Sequence, residues 1–292
     1  MVKGEIHLKC FYLILILLIG FPSWSPCNES INIPSHYQPL VNRLMKDGLD
    51  EGFLNQLFLD PRTEPILNRM TISLATSEIP EIYKKFLTFE SILLAKNFLR
   101  RNLKVLKEME KRFDVEKEVA VAILLVESKF GENIGKHRVI PTLASMAIMD
   151  STENLLRNYS ILWETNPEIS YGWMENLSNR RANWAYNELK FFLEIIQPEE
   201  IDPLEVYGSV AGALGMPQFI PSSYKAYALS KSSLKEWLYD PEGAIFSIGN
   251  YLKSHGWKKG LSFNRQKQLL WHYNRSDPYG ETILEVARKL KG

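Results

Sequence analysis

The sequence predicts a mainly α-helical chain, and three observations carry that reading. Apolar residues recur at three- and four-residue spacing, first at Leu40, Val41, Leu44 and Met45 and again at Phe53, Leu54, Leu57 and Phe58. The run Val119–Val126 is apolar on every side, as the buried central helix of a domain is. No stretch alternates strongly enough to form a sheet, and no internal repeat is visible.

Composition sets the outer limits. The 292 residues carry 35 Lys and Arg against 34 Asp and Glu, with 45% hydrophobic and 12% aromatic content. That apolar surface offsets chain entropy and excludes disorder, and the length suits one large or two modest domains. A formal charge of +1 excludes bulk electrostatic binding to nucleic acid, which needs a concentrated basic face.

At the N-terminus, Lys3 and Lys9 precede the apolar run Cys10–Phe21, so residues 1–27 read as a signal peptide or an N-terminal membrane anchor. Ser23 and Ser25 suit a signal peptidase and Pro26 does not, while Trp24-Ser25-Pro26 is a poor lipobox before Cys27. Cleavage, lipidation and retention all stay open. Export is expected in each case, and with the leader removed at most Cys27 remains, which excludes an intramolecular disulfide.

Residues 28–100 read as an N-terminal helical region. Short amphipathic helices occupy about Ser35–Met70, with a break at Asp60-Pro61-Arg62. One longer helix is expected over Ser91–Phe113, where Leu93, Leu94, Phe98, Leu103, Val105 and Leu106 share a broad face beneath a Lys/Arg-rich surface. That basic surface reads as a solvated helix face in preference to a binding patch.

Asp114 is read as the N-cap of the next helix, with Glu116 and Glu118 in its first turn and its end near Gly131. The pattern weakens over 150–179, with Asn158, Pro167 and Gly172, which reads as an insertion or long loop. Helix returns at Arg181–Ile196, a glycine-rich turn spans Gly208–Gly215, and helices resume near Ser222–Ala228, Pro241–His255 and Glu281–Leu290.

Glu127 breaks the pattern. It closes the apolar run, where burial disfavours its charged form, and it lies at a helix C-terminus, where the dipole also disfavours an anion. Both effects raise its pKa, which suits a general acid holding a proton near neutral pH. Position alone fits equally a carboxylate emerging at the helix end to pair with Lys129 or Lys136.

Its sequence neighbours decide between the two. The string Val126-Glu127-Ser128-Lys129-Phe130-Gly131-Glu132-Asn133-Ile134-Gly135-Lys136 resembles the Glu-Ser/Thr-x-aromatic-Gly-x-x-x-Gly-Lys stretch of lysozyme-like lytic transglycosylases. Gly208–Tyr224, Asn250–Trp257 and Tyr273–Tyr279 resemble three further signatures of the membrane-bound lytic transglycosylase B family, in the family's order. The resemblance runs from about Ser35 to the end and is densest between Asp114 and Tyr279.

The resemblance implies a lysozyme-like catalytic domain over 101–292 with additional N-terminal helices packed on it. It implies cleavage of the β-1,4 bond between N-acetylmuramic acid and N-acetylglucosamine in peptidoglycan, with a 1,6-anhydromuramyl product, in the periplasm. Glu127 falls on the family's acid/base. Ser209, Gln218, Tyr251, Tyr273, Asn274 and Tyr279 fall on residues lining its saccharide cleft, and Arg180 and Arg181 on a basic pair near the muramyl peptide. A monomer working on glycan strands is expected, with no cofactor and no nucleic acid.

One carboxylate suffices for that chemistry. Hydrolytic glycosidases usually set two carboxylates about 5–5.5 Å or about 6.5–9.5 Å apart. A transglycosylase uses one glutamate as acid and then as base, the substrate's N-acetyl group sustaining the developing oxocarbenium. Glu132 lies beyond Gly131 and reads as a surface charge, and Asp277, before Pro278, as a turn residue. The glycines around Ser209 lack the Gly-Lys-Ser/Thr ending of a nucleotide loop.

Departures from the family are visible too. Its calcium loop is replaced by Ala228–Asp240, where Lys231 and Lys235 stand in place of acidic ligands, so no metal is expected. His137, His255 and His272 are isolated and read as structural. Two rival functions remain at this level, a hydrolytic muramidase and a non-catalytic peptidoglycan-binding protein.

Overall fold

Helices satisfy the N-terminal apolar spacings. In the computed structural model, which describes residues 32–70, 80–229 and 233–292, α1 (Gln38–Lys46) buries Leu40, Val41 and Leu44, and α2 (Glu51–Phe58) buries Leu54, Leu57 and Phe58. The Asp50 carboxylate starts α2 by accepting from the Phe53 amide, and Asp60 accepts from the Arg62 amide at the expected break, a 3-10 turn at Pro61–Thr63. A second 3-10 segment, Pro80–Leu87, buries Tyr83 and Phe86. The leader and Lys231 lie outside the described residues.

The helix expected over 91–113 is two helices, α3 (Phe89–Arg101) and α4 (Leu103–Phe113). Asn102 separates them at φ −108°, its side-chain amide donating to the Phe98 carbonyl, the local competition with backbone bonding that Asn favours. The broad shared face is therefore not realised: Phe98 and Leu106 are buried, but Leu93 is exposed.

Asp114 is not an N-cap. It ends α4 in the left-handed region at φ 58°, which Asp tolerates better than most residues. Glu116 takes the N-cap position of α5 (Lys117–Ser128) without capping it, because its carboxylate accepts from the buried Trp257 indole at 2.8 Å. From Val119 to Leu125 every residue of α5 is buried, as the central helix was expected to be.

Beyond α5, β1 (His137–Arg138) precedes α6 (Val139–Ala147), and α6 packs along α8 (Tyr171–Ile196). The stretch expected as a loop over 150–179 is instead a helical hairpin, α7 (Thr152–Thr165) and the first turns of α8. Ser151 and Ser170 cap the two helices. Pro167 falls in the short turn between them and Gly172 in the first turn of α8, so neither interrupts a helix interior.

β2 (Tyr207–Gly208) pairs antiparallel with β1, with His137 opposite Gly208 and Arg138 opposite Tyr207. With a single bridge between Leu214 and Phe219, this is all the β structure among the described residues. The chain closes with α9 (Pro221–Tyr227), α10 (Leu234–Trp237), α11 (Pro241–Ser254), α12 (Phe263–Tyr273) and α13 (Asp277–Lys291). Glu188 of α8, buried, accepts from the Ser222 amide and hydroxyl at 2.9 and 2.8 Å and so fixes the start of α9. α13 packs on α5, on α12 and on the Pro80–Leu87 segment, an arrangement that positions the site.

Candidate active site

Glu127 occupies the last turn of α5, and the chain leaves the helix at once. Lys129, Phe130 and Gly131 all adopt positive φ, at 48°, 62° and 93°. The Phe130 amide donates back to the Leu124 carbonyl at 3.0 Å, and its ring stacks on Phe98 with centroids 4.2 Å apart. The Ser128 hydroxyl donates to the Met216 carbonyl at 2.8 Å and accepts from the Gly131 amide at 3.0 Å. The residues flanking Glu127 thus tie the helix end to the 215–219 loop.

A few residues on, the chain passes directly against the Gly208–Ser209 backbone. A Cβ on Gly135 would stand 2.0 Å from the Gly208 carbonyl carbon and oxygen and 2.5 Å from the Ser209 nitrogen, and its φ is +101°. Only glycine fits a left-handed position against another backbone.

Across from Glu127 lies α13. Ser276 caps this helix, its hydroxyl accepting from the Tyr279 amide at 3.0 Å, and the Tyr279 hydroxyl donates to Glu127 Oε1 at 2.7 Å. The Tyr273 ring lies 6.3 Å from Tyr279 and nearly parallel, its hydroxyl donating to the Pro217 carbonyl at 2.5 Å. Tyr83 meets Tyr279 edge-on at 6.2 Å. Sequence reasoning missed Tyr83, a lone tyrosine between Ile82 and Lys84 with no local signal.

The electrostatics follow from this packing. Burial raises the Glu127 carboxyl from its ordinary 4.5 to about 7, against the smaller opposing pull of the Tyr279 hydrogen bond. Among the described residues Glu127 has no ion pair, so neither Lys129 nor Lys136 neutralises it. Replacing Tyr279 by Phe removes a donor that favours the carboxylate, so the Glu127 titration followed by carboxyl ¹³C NMR is expected to move to higher pH. An unmoved midpoint would show that the hydroxyl does not hold the charge.

The other expected residues divide by what they have left to offer. The Ser209 hydroxyl accepts from the Ala211 and Ala213 amides at 3.1 and 3.0 Å, which leaves its proton for donation. Gln218, at φ 51°, gives both amide hydrogens to the Ile134 and Gly215 carbonyls at 3.1 and 2.8 Å, so its oxygen is what remains. Tyr251 is buried, with its hydroxyl on the His272 carbonyl at 2.7 Å and its ring 4.9 Å from Tyr273, so it supports that ring from behind. Asn274 is exposed at the end of α12. Arg180 and Arg181 are exposed on α8 and share no hydrogen bond or ion pair with this group.

Among the described residues no set of three or more His, Cys, Asp or Glu is placed to hold a metal ion. Asp240 accepts from the Glu242 and Gly243 amides as the cap of α11. His255 stacks on Tyr251 at 4.2 Å as a packing residue.

Residues 34–269 match the transglycosylase SLT domain family. The chain is 30% identical over 241 residues to the membrane-bound lytic murein transglycosylase B of Escherichia coli, which covers 78% of this chain and 59% of that protein. It thus spans about three-fifths of that relative's length. Similar solved structures include the Escherichia coli lytic transglycosylase SLT35 in complex with bulgecin A, at 21% identity and TM-score 0.68 over 88% of this chain and 93% of that one. Soluble lytic transglycosylase SltB1 of Pseudomonas aeruginosa matches at 22% and 0.68 over 88% and 98%. SltB3 of Pseudomonas aeruginosa in complex with NAG-NAM-pentapeptide matches at 18% and 0.64 over 87% and 78%. The likeness bears out the expected mainly α, lysozyme-like fold.

Proposed function

This chain belongs to the transglycosylase SLT domain family, and from that premise we propose that it cleaves peptidoglycan glycan strands as a lytic transglycosylase. The observation that carries the reading is the solitary Glu127, held protonated up to about pH 7 and hydrogen-bonded to Tyr279. Neither of the two carboxylates nearest in the motifs serves as the second group a hydrolase uses: Glu132 is exposed beyond the helix end, and Asp277 pairs with Lys267 at 3.4 Å.

In the proposed reaction Glu127 gives its proton to the glycosidic oxygen as the bond from the muramyl C1 breaks. The N-acetyl group of the substrate sustains the positive charge on C1. Glu127, now a carboxylate, takes the proton of the muramyl 6-hydroxyl, and that oxygen closes on C1 to form the 1,6-anhydro ring. The carboxyl ends protonated and no water is consumed. Tyr273, half-buried, offers a ring face to the sugars, whereas Tyr279, expected to line the cleft, is 1% exposed and acts instead on Glu127 through its hydroxyl. Ser209, Gln218 and Asn274 offer polar contacts, and Arg180 and Arg181 are carried over from the resemblance as a basic pair for a muramyl peptide. Activity falls above about pH 7 as Glu127 ionises in the free enzyme.

Action in the periplasm, after export through residues 1–27, completes the proposal and is supported by the leader pattern and by a relative described as membrane-bound. Among the described residues no helix is long and apolar enough to cross a membrane. Mass spectrometry of muropeptides released from purified sacculi tests the reaction. The expected ends are anhydromuramyl and lighter by one water than reducing ends. Reducing ends would replace the proposal with a muramidase, and binding without any product with a glycan-binding protein.

A further inference from the structure

The turn that follows Glu127 also helps to form a groove that the proposed chemistry does not use. Its volume is about 340 Å³, and it lies between α3, the loop after α5 and the start of α11. Phe98, Phe130 and Pro241 make an apolar floor, the two phenylalanine rings stacked within 12° of parallel. Arg101, Lys129 and Glu132 stand exposed on its rim, and none of the three forms an ion pair with a described residue. The neighbouring Arg100 is by contrast engaged with the Asn97 side chain.

Two unpaired cations and one unpaired carboxylate around an apolar floor are complementary to a short peptide that carries carboxylates and an amino group. Its place along the chain narrows the choice. Lys129 follows Glu127 by two residues, a span of at most about 7 Å. The groove thus begins within that backbone span of the acid, and a peptide of several residues attached to the reacting sugar is long enough to cover the distance. We propose that this groove binds the acidic peptide substituent of the muramyl sugar, with Arg101 and Lys129 taking carboxylates and Glu132 an ammonium group. The inference rests on the transglycosylase reading; it gives the peptide of the sugar that reacts at Glu127 to this groove and leaves Arg180 and Arg181, on α8, to the peptide of another muramyl unit along the strand. It also assigns to Arg101 a task that the solvated-face reading of α3 did not.

The test measures binding, so that turnover does not enter. In a Glu127→Gln background, calorimetry compares NAG-NAM-pentapeptide with peptide-free NAG-NAM, with and without Arg101→Gln and Lys129→Gln together. Loss of two charge-assisted contacts is expected to weaken the peptide-bearing ligand about tenfold or more and to leave the peptide-free sugar unchanged. Equal weakening of both ligands, no weakening of either, or no detectable binding of the pentapeptide compound to the Glu127→Gln parent overturns the proposal. Both positions are exposed, and a thermal melt checks that the variants fold. Product analysis on sacculi with the unaltered chain judges the transglycosylase reading separately.

Discussion

Glu127→Gln is expected to lower product release from sacculi by about 10³-fold or more, because the amide cannot deliver the proton that both halves of the reaction share. Its oxygen can still accept the Tyr279 hydroxyl, so the geometry around the site should persist. Undiminished solubilisation by the variant would remove Glu127 from the mechanism.

The same substitution carries a stability signature of definite sign. Burial raises this carboxyl from 4.5 to about 7, so the folded chain holds the proton more tightly than the unfolded chain. Its contribution is therefore fully present below about pH 4.5 and is lost as pH rises through about 7, a change on the order of 3 kcal/mol. Glutamine does not titrate. The variant is expected to match the wild type near pH 4 and to exceed it at pH 8 in denaturant melts. Parallel loss in both proteins would mean that the carboxyl is not desolvated.

The second large effect lies in the backbone. Gly135→Ala is expected to cost on the order of 3–5 kcal/mol, since its Cβ would have to displace the Gly208 backbone, 2.0 Å away, from a left-handed φ of +101°. Gly256 is the internal comparison: its φ is +92°, but a Cβ there meets nothing within 4 Å. Gly256→Ala should cost only about 1 kcal/mol, the conformational part alone. Urea unfolding of the two variants separates the crossing from the strain, and equal losses would dismiss the crossing.

Glu127 was legible because a charge that ends an apolar run is a local contradiction, visible without a structure. The apolar helix around it was legible for the same reason. Tyr279 lies 152 residues away, and only the motif resemblance links it to the acid, because spacing carries no information about contacts between distant helices. The break at Asn102 gives no signal in the apolar pattern, and Asp114 ends a helix where an N-cap is expected, because a single polar side chain there chooses between continuing, ending and capping a helix, a choice decided by tertiary partners such as Trp257 for Glu116. The hairpin over 150–179 was hidden by Pro167 and Gly172, which look like breakers until one sees that they sit in the turn and the first helical turn.

Tyr83 changes how the chain divides. It comes from the region before α3, yet its ring lies against the tyrosine that holds Glu127, and its 3-10 segment packs on α13. The boundary at residue 100 is therefore not a seam between interchangeable modules. A graft of 101–292 onto another protein would carry the acid and lose the buttress behind it, so a transplant of the site has to move the N-terminal segment and the catalytic helices together.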